Sequence, residues 1–177
     1  MDKRAIIDLL HKNYSSFITY INDLSPEEYS FRYEEKWTAG QQLEHIVLCV
    51  KPLVQVFSMD KSAIEQNFGR SGKPGRTYEA LSENYMEKLK EGGKAPVRYV
   101  PEAMSPNQKA MLNETLTKMI QNLCSKIETF TEEELDTLLI PHPLLGNLTL
   151  REMLYNAIYH VQHHYEQAIH NLKKMAV

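Results

Sequence analysis

Glycine is scarce in this chain, with 7 in 177 residues, and long stretches run without glycine or proline. A many-turned β fold needs such residues at each chain reversal, so their shortage points to helices. Cysteine is scarcer still. Cys49 and Cys124 are the two present, and two isolated thiols make neither a disulfide framework nor a spaced metal motif. Both are expected to be buried and reduced. Long apolar runs are lacking too. The longest, Ile46 to Val50, is far too short to span a bilayer, so no membrane partner is expected. The opening MDKRAIIDLLHKNY has no apolar core followed by a small-residue cleavage site, and a cytoplasmic protein is the expectation. Positive charge is not in excess either, the net charge being −3. Without it, attraction to a phosphate backbone is weak and no nucleic acid partner is expected.

Apolar material for a core is present in normal proportion, 42% hydrophobic against 24% charged residues, and the length suits a single domain over residues 1–177. Ile6, Ile7, Leu10, Tyr14, Phe17, Ile18 and Ile21 recur at helical spacing and predict a first helix from about Asp2 to Asn22. A connector over Ser25 to Trp37 opens with Ser25-Pro26-Glu27-Glu28, suited to a short helical turn. Thr38 and Gln41 form a capping box that starts a second helix, carrying Leu43, Ile46, Val47, Val50, Leu53 and Phe57. Pro52 inside it removes a backbone hydrogen bond and is expected to bend it. Asn67 to Tyr78 reads as a loop, Tyr78 to Gly93 as a shorter helix and Gly92 to Met104 as irregular. A third long helix begins at Ser105, with Pro106 at the first position and Gln108 completing a capping box. Thr131 to Asn147 reads as a connector broken by Pro141, Pro143 and Gly146. The fourth helix starts at Thr149, boxed with Glu152, and runs to about Lys173. The expected fold is all-α, a four-helix bundle.

Seven histidines occur, and three of them crowd one turn in YHVQHHYE: His160, His163 and His164. Residues four apart lie on one helix face, so His160 and His164 can bind one metal ion together. On the wheel His164 falls roughly 50° from the centre of the apolar stripe, His160 roughly 90° and His163 roughly 150°. The first two therefore point inward and His163 outward. Two imidazoles do not complete a site, and His45, inside the wide apolar arc of the second helix, is the best third ligand. The plainer alternative is that these histidines are merely hydrogen bonded or exposed. His11, His142 and His170 have no such grouping and read as surface or loop residues. No His-Glu-x-x-His or Glu-x-x-His motif occurs, which argues against zincin and di-iron carboxylate sites.

The segments KWTAGQQLEHIV, at Lys36 to Val47, and LTLREMLYNAIYHVQHHYEQ, at Leu148 to Gln167, resemble the DinB/YfiT-like superfamily. Its pattern is a Trp, a capped helix start and a His on helix two, then His-x-x-x-His on helix four. The resemblance implies a four-helix bundle holding one divalent metal ion, commonly zinc or nickel, on three histidines that correspond to His45, His160 and His164. It further implies a metal-dependent thiol S-transferase or hydrolase acting on a small-molecule substrate, with a low-molecular-weight thiol as a possible co-substrate, and a possible homodimer.

A three-histidine site leaves coordination positions open to water or substrate, and no fourth protein ligand is evident. Asn156, one turn before His160, is expected to orient that ligand or touch substrate. Glu44 adjoins His45 but points away from it. Arg70, Lys73 and Arg76 lie in the most basic stretch, followed by Lys94 and Arg98. They are candidates for binding an acidic substrate, or simply a solvated loop. The rival readings are a non-catalytic helical module stabilised by the metal and a dimeric interaction protein without one.

Overall fold

Capping boxes start the helices where the sequence predicts them. A computed structural model describes residues 1–175; the last two positions of the expected domain lie outside the described residues. Helix α1 spans Lys3–Asp23, and the Asp2 side chain caps it by accepting from the Ala5 amide. The short α2, Pro26–Ser30, is boxed by Ser25 and Glu28. Helix α3, Ala39–Phe57, is boxed by Thr38 and Gln41 and continues through Pro52. Two shorter helices follow, α4 at Lys61–Phe68 and α5 at Tyr78–Lys90. A strap over residues 91–105 contains one 3₁₀ turn, Val97–Tyr99. The Ser105–Gln108 box caps a second 3₁₀ turn, which leads into α6, Lys109–Ile127.

Two features were hidden in the stretch expected to be an irregular connector. Residues Glu132–Thr137 form α7, and Leu139–His142 (β1) pairs antiparallel with Gly146–Thr149 (β2). Four-residue strands, one of them holding Pro141, are too short to display a two-residue period. Gly146 has a φ of 72° at the hairpin turn, a conformation that glycine adopts without strain. The hairpin is stable because Ile140 and Leu148 are buried in the core. Thr149 then caps α8, Leu150–Leu172, through its box with Glu152.

Helices α1, α3, α6 and α8 form the bundle. Each of α1 and α3 packs against both α6 and α8, α5 lies on α8, and α2 lies on α3. One cluster of buried side chains joins all four long helices. The stripe of α1 supplies Ile6, Leu10, Tyr14, Phe17 and Ile21 to it, each worth roughly 1.5–3 kcal/mol of apolar burial. Tyr14 Oη also donates to the Ala157 carbonyl of α8 at 3.3 Å. At the opposite edge Arg151 of α8 bonds Glu132 and Asp136 of α7, docking that helix. No helix among the described residues is long and apolar enough to cross a membrane.

Gly40 sits where α2 presses on α3. A Cβ there would stand 2.5 Å from Cε1 and 2.7 Å from Cζ of Tyr29, a ring with 0% exposure. Gly40→Ala should therefore lower unfolding free energy by about 1–3 kcal/mol in urea denaturation, the usual cost of overpacking. At Gly72 a Cβ would meet nothing within 4 Å, and Gly72→Ala should stay within about 0.5 kcal/mol of the parent. Equal midpoints for the two variants would mean that α2 is not held rigidly against α3.

Candidate metal centre

The bundle order makes α3 and α8 neighbours, and that adjacency brings three histidines together. His45 lies in the second turn of α3, while His160 and His164 occupy successive turns of α8. All three are buried, with exposures of 4, 8 and 6%. His160 Nε2 is 3.2 Å from His45 Nε2 and 3.0 Å from His164 Nε2. One ligand atom from each lies within 4.8 Å of the others, so the group could hold a metal ion. Among the described residues no other group of His, Cys, Asp and Glu meets that criterion.

Proton bookkeeping favours a cation at this point. His45 Nδ1 is 2.7 Å from the Tyr99 carbonyl, which can only accept, so Nδ1 carries the hydrogen and Nε2 presents its lone pair. His164 Nδ1 likewise donates to Gln42 Oε1, leaving Nε2 as a lone pair. His160 Nε2 carries at most one hydrogen and cannot donate to both neighbours. At least one close nitrogen pair is then lone pair against lone pair. Burial lowers the pKa of His45, and lowers those of His160 and His164 further, with the mutual proximity of the rings adding to it. These rings are neutral near pH 7, the form that binds metal. Zinc–nitrogen bonds of about 2.0–2.1 Å at tetrahedral angles set ligand nitrogens about 3.3 Å apart, close to the spacing found. The donor set, with the outer nitrogens of His45 and His164 tied to oxygen acceptors, fits a divalent ion of the zinc type.

A cavity of about 500 Å³ opens beside the cluster, and His45 and His160 form part of its wall. Most of the lining is apolar, including Leu53, Phe68, Ile140, Leu144 and Met153. Its polar members near the histidines are Cys49, Tyr85, His142 and Asn156, and its charged members are the exposed Lys51 and Arg98. Cys49 Sγ lies 3.6 Å from His45 Nε2 but outside the three-histidine group. Burial pushes its thiol up to about 12, so it stays protonated. Trp37 covers another side, its ring centroid 4.8 Å from that of His45 and stacked at 6.1 Å on His164.

Several expected residues are placed differently from their sequence reading. His142 is no surface residue: it half-buries at the end of β1 and lines the cavity, because the hairpin folds back over α8. Loss of solvent lowers its pKa to about 4. Asn156 does line the cavity, yet its side chain meets His142 at 3.3 Å rather than orienting His160. His163 is half-buried rather than solvent-facing, bonded to the Gln167 amide at 2.7 Å. Arg70, Lys73 and Arg76 lie outside the cavity lining. Arg70 pairs with Glu65 at 2.8 Å and Arg76 with Glu152 at 2.7 Å, so two of these charges tie the loop to helices α4 and α8, and Lys73 is exposed. Glu44 accepts from the Glu102 amide at 2.8 Å and is not in the lining. Cys49 is half-buried and Cys124 buried, both as free thiols.

Gln42 and the Tyr99 carbonyl escaped the sequence reading. Gln42 had a legible signal, being a polar residue three positions before His45 on a buried arc, and it is 1% exposed. The Tyr99 carbonyl had none, since backbone groups carry no residue signature and the strap's path is set by tertiary contacts.

The chain matches the profile of the DinB superfamily over residues 9–168, a span that includes all three clustered histidines. No curated protein matches it significantly.

Gln42→Leu should weaken metal binding about 10–100-fold, the usual effect of removing an outer-shell partner, when measured by competition with a chelator. Acid should act on the metal-free protein through the same rings. Unfolded histidines titrate near 6.5, and the folded values lie lower. The stabilisation is complete above that value and shrinks as pH falls through it toward the folded values. The melting temperature of stripped protein should be level above pH ~7 and fall between about 6.5 and 5. A rise over that window would mean that the rings are charged in the fold.

Proposed function

The chain belongs to the DinB superfamily, and from that premise we propose that it is a metal-dependent enzyme acting on a small molecule, a thiol S-transferase before a hydrolase. The observation that carries this reading is the three-nitrogen cluster in the wall of an open cavity. His45, His160 and His164 would hold the ion, with zinc or nickel the metals of choice. Such an ion, when bound, supplies Lewis acidity that lowers the pKa of a coordinated thiol or water.

The chain's own residues favour thiol transfer. Hydrolysis calls for a group that gives a proton to the leaving atom near neutral pH. Among the side chains lining the cavity there is no Asp or Glu. The Cys49 thiol is held up to about 12, burial raises the Tyr85 phenol, and the His142 ring is held down to about 4. None of these exchanges a proton readily near pH 7. Thiol transfer to an electrophile asks less: the thiol must ionise, and the apolar wall must hold the electrophile and exclude water. Cys49 is a poor nucleophile in its protonated state, so the reacting thiol would come from a co-substrate.

Elemental analysis of protein purified without chelator should find near one zinc, nickel or similar ion per chain, and none in the H45A/H160A/H164A triple variant. Loss of cysteine or glutathione thiol in the presence of an epoxide or aryl halide should then proceed faster with the wild type than with the variant. Metal without thiol turnover would favour the metal as a tie between α3 and α8. A metal-free wild type, even after incubation with zinc and nickel, would overturn the ligand set and leave a helical interaction module.

A further inference from the structure

The cavity holds a second polar device beside the three clustered histidines, in the hairpin and the first half of α8. His142 Nδ1 accepts from the backbone amides of Leu144 and Leu145, each at 3.2 Å. Both groups are obligatory donors, so Nδ1 carries no hydrogen. The neutral ring then has its hydrogen on Nε2, facing the amide atom of Asn156 that is drawn as Nδ2, 3.3 Å away. Only the amide oxygen can receive it. Amide orientation is assigned from such networks, and here the network has one solution: oxygen to His142, NH2 away from it.

The amide atom turned away from His142 is in no hydrogen bond with a described residue, and Asn156 is 9% exposed. Neither amide atom is sealed from solvent without a partner, and Asn156 lines the cavity. The donor is therefore open to the cavity, where a ligand that accepts a hydrogen bond can take the place of water. The rest of the lining specifies that ligand. Its two charges, Lys51 and Arg98, are positive and no acid opposes them. Its remaining walls are largely apolar, with Leu53, Phe68, Ile140 and Met153 among them.

We propose that Asn156 is a ligand-binding donor, held by His142 so that its NH2 faces the cavity, and that the ligand it takes is a small carboxylate with an apolar body. His142 acts as a positioning residue. Its contribution is the tautomer that turns the amide. The proposal rests on the reading of this cavity as the substrate site, and it deepens that reading by assigning the ligand's chemical class.

The test uses zinc-loaded protein and octanoate as the probe, with octanol (body without charge) and acetate (charge without body) as comparators. Nitrogen-15 spectra of the histidine rings should show His142 at pH 7 as a neutral ring with Nδ1 bare and Nε2 protonated. A hydrogen on Nδ1 would overturn the assignment. Octanoate should move the Asn156 side-chain amide resonances and bind more tightly than either comparator. Octanol binding as tightly as octanoate, or no octanoate binding at all, would overturn the ligand class. Asn156→Leu removes the donor without adding charge. Asn156→Asp keeps an acceptor for His142 and puts a negatively charged oxygen where the NH2 stood. Each should weaken octanoate by about tenfold or more, the loss expected for a hydrogen bond to a charged group, while octanol stays within about twofold. Octanoate affinity in Asn156→Leu equal to the wild type would overturn the role of Asn156. Should the wild type fail to hold zinc, the metal reading fails by itself, and the spectra and octanoate titrations on the metal-free chain still decide this proposal.

Discussion

Three imidazole nitrogens meeting inside a helical bundle do not carry enough hydrogens to satisfy one another. His45 and His164 spend theirs on Tyr99 and Gln42, so their inner nitrogens face His160 as lone pairs. A cation resolves that conflict, and much of the surrounding structure has the form of a mount for one. The outer oxygens fix the tautomers. The apolar stripes of α3 and α8 bury the rings and keep them neutral. Trp37 lies against two of the rings and stiffens the cluster from the side. Burial that would be a liability for an isolated polar group becomes an asset when the group must stay unprotonated to bind metal.

Four long helices provide the mount, whereas the cavity depends on what is inserted between them. Helix α4, helix α5, the strap and the β1–β2 hairpin all contribute side chains to its wall, around the face shared by α3 and α8. The same strap supplies the carbonyl that sets the His45 tautomer. Metal cluster and cavity are thereby coupled: a shift of the strap would change the rim of the cavity and the second contact of a candidate ligand together. The hairpin has a parallel role. Its turn amides set the tautomer of His142, and through it the direction in which Asn156 faces. In both cases backbone groups from outside the bundle decide which atom of a helix-borne side chain is available for chemistry.

The parts of the fold that were legible in the sequence are those governed by local physics. Capping boxes at Thr38, Ser105 and Thr149 and helical apolar spacing in the four long segments depend on residues within a few positions of one another. The pairing of His160 with His164 is equally local, since a helix places residues four apart on one face. His45 was legible as a polar residue in an apolar arc, though its partners were not. The β1–β2 hairpin escaped because strands of four residues carry little periodicity. His163 was misplaced because the wheel measures direction about one axis and ignores the neighbours, Tyr159 and Gln167, that half-cover it.

Sequence alone therefore determined the four long helices, the all-α class and the three histidines that could share an ion, because each follows from short-range spacing. Tertiary structure alone decided which groups face the cavity. It drew Arg70 and Arg76 into ion pairs outside the lining, brought Arg98 to the rim, and turned His142 from an apparent loop residue into the partner of Asn156. The physical reason is the same for each. A charge or an imidazole takes its role from the partner it meets, and those partners lie 5 to 76 positions away in the chain, where no local periodicity reaches.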